Sequence, residues 1–279
     1  MWLAAGAGTA GAAQLCLGVG LPLRGQSAAM AGPDGIPQSV LVRVTGGGRE
    51  GIPFYVPASG GRMHTSASGA LLPNDDGGAA LVLTSGALLQ PWLKRTLSSA
   101  ASESLEEGAE LAVSMIGGVG GGVYYGAELL AIVPGPKEVN SLLRAGFALG
   151  GGEADSLSIA VLTLNTRPSL QDAGCGLSRA GLGLGADPAA LVRAPCVYVV
   201  GAPFGVLCPR VFGVHVCAGM VAATLGAGLC LLDVRWLPGL DGAVVYDQCG
   251  TWRGLLLSPL VHARTRAVVR FHGGACDQN

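Results

Sequence analysis

Short apolar runs separated by turn-forming stretches dominate the first part of the chain. Residues 39–44 (SVLVRV) alternate apolar and polar side chains, as a strand with one buried face does. Residues 69–73 and 79–89 flank the sequence NDDGG, a strong hairpin signal. The run LSIAVLTL (157–164) is almost continuously apolar, which is typical of a strand buried on both faces. With similar runs at 111–118 and 126–135, the pattern predicts a succession of short strands.

The same pattern continues after a loop-like stretch at 166–191. Two segments interrupt it earlier in the chain: residues 97–110 read as a helix or a solvated insertion, and residues 136–146 as a short helix. So many strands at this spacing predict an all-β barrel or sandwich. The later strand candidates are 196–205, 214–223, 228–236, 242–247 and 253–261.

Composition narrows the classes of function. The chain has 279 residues, of which 50% are hydrophobic and 13% charged, and its formal net charge is −1. This charge balance gives no reason to expect a nucleic-acid partner. No apolar run reaches the length of a membrane span without Gly or Pro, so no membrane partner is expected. The glycine tracts at 117–122 and 149–152 lack a phosphate-loop pattern, and no cofactor is predicted.

The cysteines and the N-terminal segment carry weaker signals. None of the 8 cysteines forms a C-x-x-C pair, so no metal site is predicted and buried free thiols are favoured. Residues 1–23 are apolar, and Ala29-Met30-Ala31 resembles a cleavage site, but no Lys or Arg precedes the apolar part. A tail or a misplaced start codon is favoured. The alternative is a targeting peptide over residues 1–31, which would direct the chain to the secretory route or an organelle.

Three segments carry the strongest resemblance to a known family. They are LVLTSGALL (81–89), SIAVLTL (158–164) and PGLDGAVVY (238–246). In this order they resemble the active-site neighbourhoods of trypsin-like serine proteases: Thr-Ala-x-His at a strand end, Asp before an apolar strand, and Gly-x-Ser-Gly-Gly. The resemblance implies a trypsin-like double β-barrel, two six-stranded Greek-key barrels, with a short helical insertion in the first.

The residues of the catalytic triad are replaced at all three positions. By motif register the histidine falls at Ser85, or just beyond it at Gly86 or Ala87. The aspartate falls at Ser158 and the nucleophile at Asp241. A hydroxyl nucleophile needs an imidazole to take its proton and a carboxylate to orient that imidazole. The chain by itself is therefore predicted to be inactive, although the family is one of serine endopeptidases.

Four other residues near these motifs bear on the site. Asp155 and His64 are weak substitutes for the missing catalytic groups. Gly239 and Gly242 flank Asp241 and allow the tight turn of an oxyanion hole. One hypothesis is that Asp241 accepts those N–H groups itself and blocks the hole. The alternative is an ordinary Leu-Asp-Gly turn.

A fourth segment narrows the resemblance. Residues 199–205 (VVGAPFG) and 216–222 (VCAGMVA) are similar to stretches of Deg/HtrA-type proteases. With 204–209 and 229–246, they resemble the N-terminal half of peroxisomal (glyoxysomal) leader-peptide processing proteases. This resemblance, over roughly 38–262, implies a peroxisomal location and leader-peptide or protein substrates. It also implies a partner: a C-terminal protease domain of the same protein or an active homologue.

The expected organisation has four parts. Residues 1–37 form an apolar tail, 38–147 the first barrel with an insertion at 94–110, and 148–265 the second barrel. Residues 266–279 form a C-terminal tail or the start of a further segment, so the chain would be the non-catalytic half or a fragment of an endopeptidase.

Two alternatives to that interpretation remain open. A stand-alone pseudoprotease would bind extended peptides or act as a scaffold by β-augmentation. An unrelated β-sandwich of the adhesion or lectin kind would place Ser85, Ser158 and Asp241 far apart.

Overall fold

The fold consists almost entirely of antiparallel strands. A computed structural model describes residues 12–17, 38–47, 55–72, 79–94, 104–115, 123–135, 147–149, 157–166, 196–224, 229–248, 250 and 252–262. The strands are β1 Ala12–Leu17, β2 Gln38–Gly47, β3 Val56–Pro57, β4 Arg62–Leu72, β5 Leu81–Ser85, β6 Glu110–Met115, β7 Tyr124–Pro134, β8 Phe147–Leu149, β9 Ser158–Leu164, β10 Cys196–Gly201, β11 His215–Thr224, β12 Leu229–Val234, β13 Ala243–Asp247 and β14 Trp252–His262, with one short helix, α1 Pro209–Phe212.

The first barrel closes from strands that follow one another in the chain, apart from β3 on its rim and β8, which belongs to the other sheet. Its sheet has the order β2-β6-β7-β9-β5-β4-β3, and β2 also pairs with β4, which closes the ring and leaves β3 as an added edge. Hairpin neighbours β4–β5 and β6–β7 pair directly, while β6 returns to β2 and β9 returns to β5. This is a Greek-key barrel, and closure satisfies the backbone groups that an open sheet leaves at its edges.

The second barrel closes with a strand from the opposite end of the chain. Its sheet has the order β1-β12-β11-β10-β13-β14-β8, and β1 also pairs with β14. Strand β1 thus fills the gap between β12 and β14, and β8 extends the far end of β14 over Leu260–His262. Five consecutive strands and one N-terminal strand therefore form the ring.

The all-β, trypsin-like double barrel predicted from the sequence is confirmed. Two local expectations differ from the structure. Ala12–Leu17, within the region expected to be a tail, is a barrel strand that pairs with β12 on one side and β14 on the other. The helical insertion expected at 94–110 is not helical over the described residues 104–110, where Leu105 bridges to Leu93 and packs against the first barrel. The helix expected at 136–146 lies outside the described residues.

Three large apolar clusters and a small one around Leu41 and Ala202 account for the packing. One fills the first barrel around Val42, Trp92 and Leu162. Another fills the second barrel around Val199, Cys230 and Leu256. The third joins the barrels, because strands of both contribute outward-facing side chains to it. Its members include Leu83, Ile159, Val200, Val244 and Leu257. None of the helices in the described part of the chain is long and apolar enough to cross a membrane.

Candidate active-site region

The three motif segments meet at the junction of the two barrels. A methyl group on Gly86 would overlap Ser158 Oγ, so the first segment lies against the second. A methyl group on Gly242 would overlap Ser68 O and lie 2.7 Å from Thr84 Oγ1, so the first segment also lies against the third. Residues distant in the sequence therefore share one small region, unlike the arrangement that an unrelated sandwich would have.

Ser85 is engaged in holding the barrels together. It is the last residue of β5, is buried, and donates its hydroxyl to the carbonyl of Leu257 on β14 at 3.2 Å. Its neighbour Thr84 is also buried and donates to Ser68 O at 2.6 Å. A side chain at position 85 is thus directed into protein, where an imidazole would lose contact with solvent and substrate.

Ala87 differs from Ser85 and Gly86 in its exposure to solvent. A 3-10 turn, Gly86–Leu88, follows β5 directly. Gly86 is buried against Ser158, so a side chain there would collide with backbone and side chain of β9. Ala87 is half-buried, whereas Ser85 and Gly86 are buried. Of the three positions left open by the sequence, 87 is thus the one that is partly exposed.

Ser158 begins the buried strand β9. It is buried and lies opposite Pro134 of β7, and the next residue, Ile159, pairs with Ser85 of β5. A hydroxyl at this position carries no charge at neutral pH, so it could not stabilise a neighbouring imidazolium as a carboxylate does.

Asp241 is the one acidic residue among the three positions predicted for the triad. The residue is half-buried, and Trp236 Nε1 donates to its Oδ1 at 3.3 Å. Removal of the carboxylate from water raises the pKa of Asp241 to about 7, against the lowering effect of hydrogen bonds from Trp236 and from its own backbone N–H. At neutral pH this side chain is therefore protonated in a large fraction of molecules.

The turn around Asp241 is stabilised by backbone bonds. Gly239 and Gly242 have φ of 91° and 86°, a region that favours glycine. The N–H of Gly242 donates to Leu256 O, and the N–H of Ala243 donates to Leu240 O. The Gly242 N–H is thus bonded to Leu256 O and not to Asp241, while the hypothesis that Asp241 blocks an oxyanion hole stays a prediction.

A set of serines that the sequence analysis did not single out connects the barrels. Ser68 Oγ donates to Gly239 O at 2.7 Å and accepts the Ala202 N–H at 2.9 Å. Ser39 Oγ donates to Val200 O, and Ser66 Oγ accepts the Val206 N–H. The signal was present in SASG (66–69), where only small side chains alternate on β4. Such a face indicates close approach by another element.

Neither of the histidines with described side chains is hydrogen-bonded to Ser85 or Asp241. His64 Nδ1 is 2.8 Å from Thr45 Oγ1. Ser68 lies four positions further along β4, which is roughly 13 Å at strand spacing. Burial chiefly, with Arg43 and Arg62, lowers the pKa of His64. His215, the first residue of β11, lies opposite Gly201 of β10, and its Nε2 is buried without a hydrogen-bond partner among the described residues. Burial chiefly, with Arg235, lowers the pKa of His215. Asp155 lies outside the described residues.

The described residues include no group of three or more His, Cys, Asp or Glu side chains that could hold a metal ion. The polar groups of the region are hydroxyls, one carboxyl and an indole N–H. This set can hydrogen-bond a peptide or an uncharged group, but it contains no base next to a nucleophile.

The chain has matches among solved structures but none among family models or curated sequences. No protein-family model matches the chain, and no curated protein matches its sequence. Among the solved structures that match is one described as Glu endopeptidase in complex with MPD. It is 15% identical, with a TM-score of 0.35 and coverage of 76% of each chain. The fold assignment accordingly stands on the strand order and closure of the two barrels.

Proposed function

We propose that this chain is a catalytically silent member of the trypsin-like fold, the non-catalytic half of a peroxisomal leader-peptide processing protease. In this role it holds extended peptides or an active protease chain and does not cleave them. The observation that carries the proposal is the state of the triad positions. Ser85 is hydrogen-bonded to Leu257 O, and Asp241 is hydrogen-bonded to Trp236 where the nucleophile would lie.

The chemistry of these side chains supports an inactive site. Acyl transfer at neutral pH needs a hydroxyl or thiol activated by an adjacent base. A carboxylic acid at position 241 cannot form the ester intermediate that serine forms and then release it by the same route. His64, the histidine nearest to this region along β4, already bonds to Thr45.

The sheet edges support peptide binding. The two seven-stranded sheets end at β3 and β8, which pair on one side only in the part of the chain that the structure describes. An extended peptide can add to such an edge through main-chain hydrogen bonds. Peroxisomal location belongs to the same proposal and can be tested with a fluorescent tag and a matrix marker.

A fluorophosphonate probe tests the silent site. We expect no labelling of the native chain and none of the control variant Asp241→Ser, because neither has a base at position 87. The triple variant Ala87→His, Ser158→Asp, Asp241→Ser should gain labelling at residue 241. Labelling or peptide cleavage by the native chain, abolished by Asp241→Ala, would overturn the proposal.

A second measurement separates binding from mere inactivity. A fluorescein-labelled extended decapeptide with a leader-peptide sequence is titrated with the native chain and followed by anisotropy. Saturable binding with no cleavage is expected. The absence of binding both to this peptide and to an active processing protease would remove the binding role while leaving the inactive site in place.

A further inference from the structure

Strand β1 brings two cysteines together from opposite ends of the chain. It pairs antiparallel with β12 in an unbroken register from Ala12↔Val234 to Leu17↔Leu229. In that register Cys16 lies directly opposite Cys230. The sequence places almost the entire described fold, including all of the first barrel, between these two residues.

The register gives a backbone separation that suits a disulfide. Directly opposite residues of an antiparallel pair have Cα atoms about 4.5–5.5 Å apart, and disulfides bridge Cα atoms about 4.4–6.8 Å apart. Opposite positions also share one face of the sheet. Cys230 is buried in the interior cluster of the second barrel with Leu232 and Leu256.

We propose that Cys16 and Cys230 form a redox-sensitive pair that fastens the N-terminal strand to the second barrel when a small-molecule disulfide such as oxidised glutathione is present. One cysteine thiolate attacks the small disulfide, giving a mixed disulfide and one released thiolate. The other cysteine thiolate then displaces the second small thiolate, so the Cys16–Cys230 bond forms. The two cysteine protons end on the two released thiols, and the small disulfide is reduced.

The surroundings of Cys230 set the rate of this reaction. Burial raises the pKa of the Cys230 thiol, against the lowering effect of a hydrogen bond with Thr224. The thiolate that exchange requires is therefore scarce while the barrel is closed. The pair should react when β1 opens, so oxidation is expected to be slow in buffer and faster in low urea.

Two other cysteines with described side chains lie in strand pairs, and neither is opposite a cysteine. Cys196 is exposed and lies opposite Met220, and Cys217 lies opposite Val199 and bonds to Arg235 O. In the described registers, Cys16 and Cys230 are the cysteines that face each other across a strand pair. This inference concerns the barrel rather than the triad positions, so it stands independently of the proposed function.

The test uses the full chain, treated with oxidised glutathione and mapped without reduction. Trypsin leaves Cys16 in residues 1–24 and leaves Cys217 and Cys230 together in residues 211–235. We expect these two peptides to be cross-linked in the native chain and in Cys217→Ser, and separate in Cys16→Ser and Cys230→Ala. Oxidation should raise the Tm of the native chain, and dithiothreitol should reverse the rise.

Two results would overturn the proposal. One is a cross-link that persists in Cys230→Ala, which would assign the bond to Cys217. The other is glutathione attached to Cys16 or Cys196 with no cross-link to residues 211–235. Since Cys16→Ser leaves the buried Cys230 in place, it tests the pair even if Cys230→Ala fails to fold.

Discussion

The two barrels have the same strand pairing but obtain their strands differently. The first barrel takes its six ring strands from Gln38–Leu164, in chain order. The second takes five from Cys196–His262 and its last from Ala12–Leu17. Closure of the first barrel therefore depends on a contiguous stretch of chain, and closure of the second depends on a contact across almost the full sequence. A long-range closure costs more loop entropy before any strand pairing compensates for it.

A proline in β1 should give the largest difference between the barrels in free energy of unfolding. Leu15 pairs with Leu231 on one side and Ser258 on the other. Leu15→Pro removes an N–H from a strand bonded on both sides, and we expect it to destabilise the second barrel by more than ~4 kcal/mol. Segment-resolved hydrogen exchange should show protection lost over β8 and β10–β14 and kept over β4–β7 and β9.

The corresponding change in the first barrel is Val42→Pro. Val42 lies between Ala67 and Val113, so loss of protection should then begin in β2, β4 and β6. Unchanged exchange over β10–β14 in Leu15→Pro would contradict a closing role for β1.

The barrels also differ in their ion pairs. In the second, Arg253 Nη2 and Nε lie 2.6 and 2.9 Å from Asp247 Oδ2, with side chains 13% and 4% exposed. In the first, Arg62 Nη1 lies 3.0 Å from Glu110 Oε1, with side chains 34% and 66% exposed. Arg253→Met should lower the free energy of unfolding by ~3 kcal/mol because it removes the charged partner of the buried Asp247 carboxylate, and Glu110→Gln by less than ~1 kcal/mol. Equal losses in urea titrations would contradict this ranking.

The contact between the barrels should be intermediate in energy. Ser68→Ala leaves the Ala202 N–H and the Gly239 carbonyl without their buried partner, and we expect a loss of ~2 kcal/mol. Ser39→Ala removes one bond from a half-buried site and should cost ~1 kcal/mol. Denaturation of both variants in urea measures the two values. A smaller loss for Ser68→Ala than for Ser39→Ala would mean that water replaces Ser68.

The smallest expected effect depends on pH. Burial raises the pKa of Asp241 from its usual 3.8 to about 7, so the folded chain keeps a proton that the unfolded chain releases. The contribution of this group to stability is therefore fully present below pH ~4 and lost as pH rises to ~7. Asp241→Asn stays neutral and should exceed the native chain in free energy of unfolding by ~1–2 kcal/mol at pH 8, since partial exposure reduces the effect. A difference that is constant from pH 4 to 8 would contradict the raised pKa.

The sequence predicted the strands well because their signal is local. Alternation in SVLVRV and the apolar run LSIAVLTL each correspond to an observed strand, β2 and β9. The segment 94–110 was misjudged, because Leu105 is held by a bridge to Leu93 and no sequence periodicity reports such a contact. β1 was taken for part of a tail since its partners, β12 and β14, lie at the other end of the chain.

For the candidate site, too, some features followed from the sequence and others only from the structure. Motif order alone led to the prediction that Ser85, Ser158 and Asp241 occupy the triad positions, and none of them is the residue that the mechanism needs there. The register within the first motif could not be fixed from the sequence, because three adjacent small residues fit it equally. The burial of Ser85 and Gly86 distinguishes them from Ala87.

The sequence by itself determined the strand content, the order of the motifs and the absence of a histidine at residues 84–88. These follow from side-chain type and short-range periodicity. Only the tertiary structure decided that β1 closes the second barrel, that Ser68 links the barrels, and that Asp241 lies half-buried beside Trp236. Each of these depends on contacts between residues that are separated along the chain by a turn, a barrel or more, and such contacts are set by packing of the complete fold.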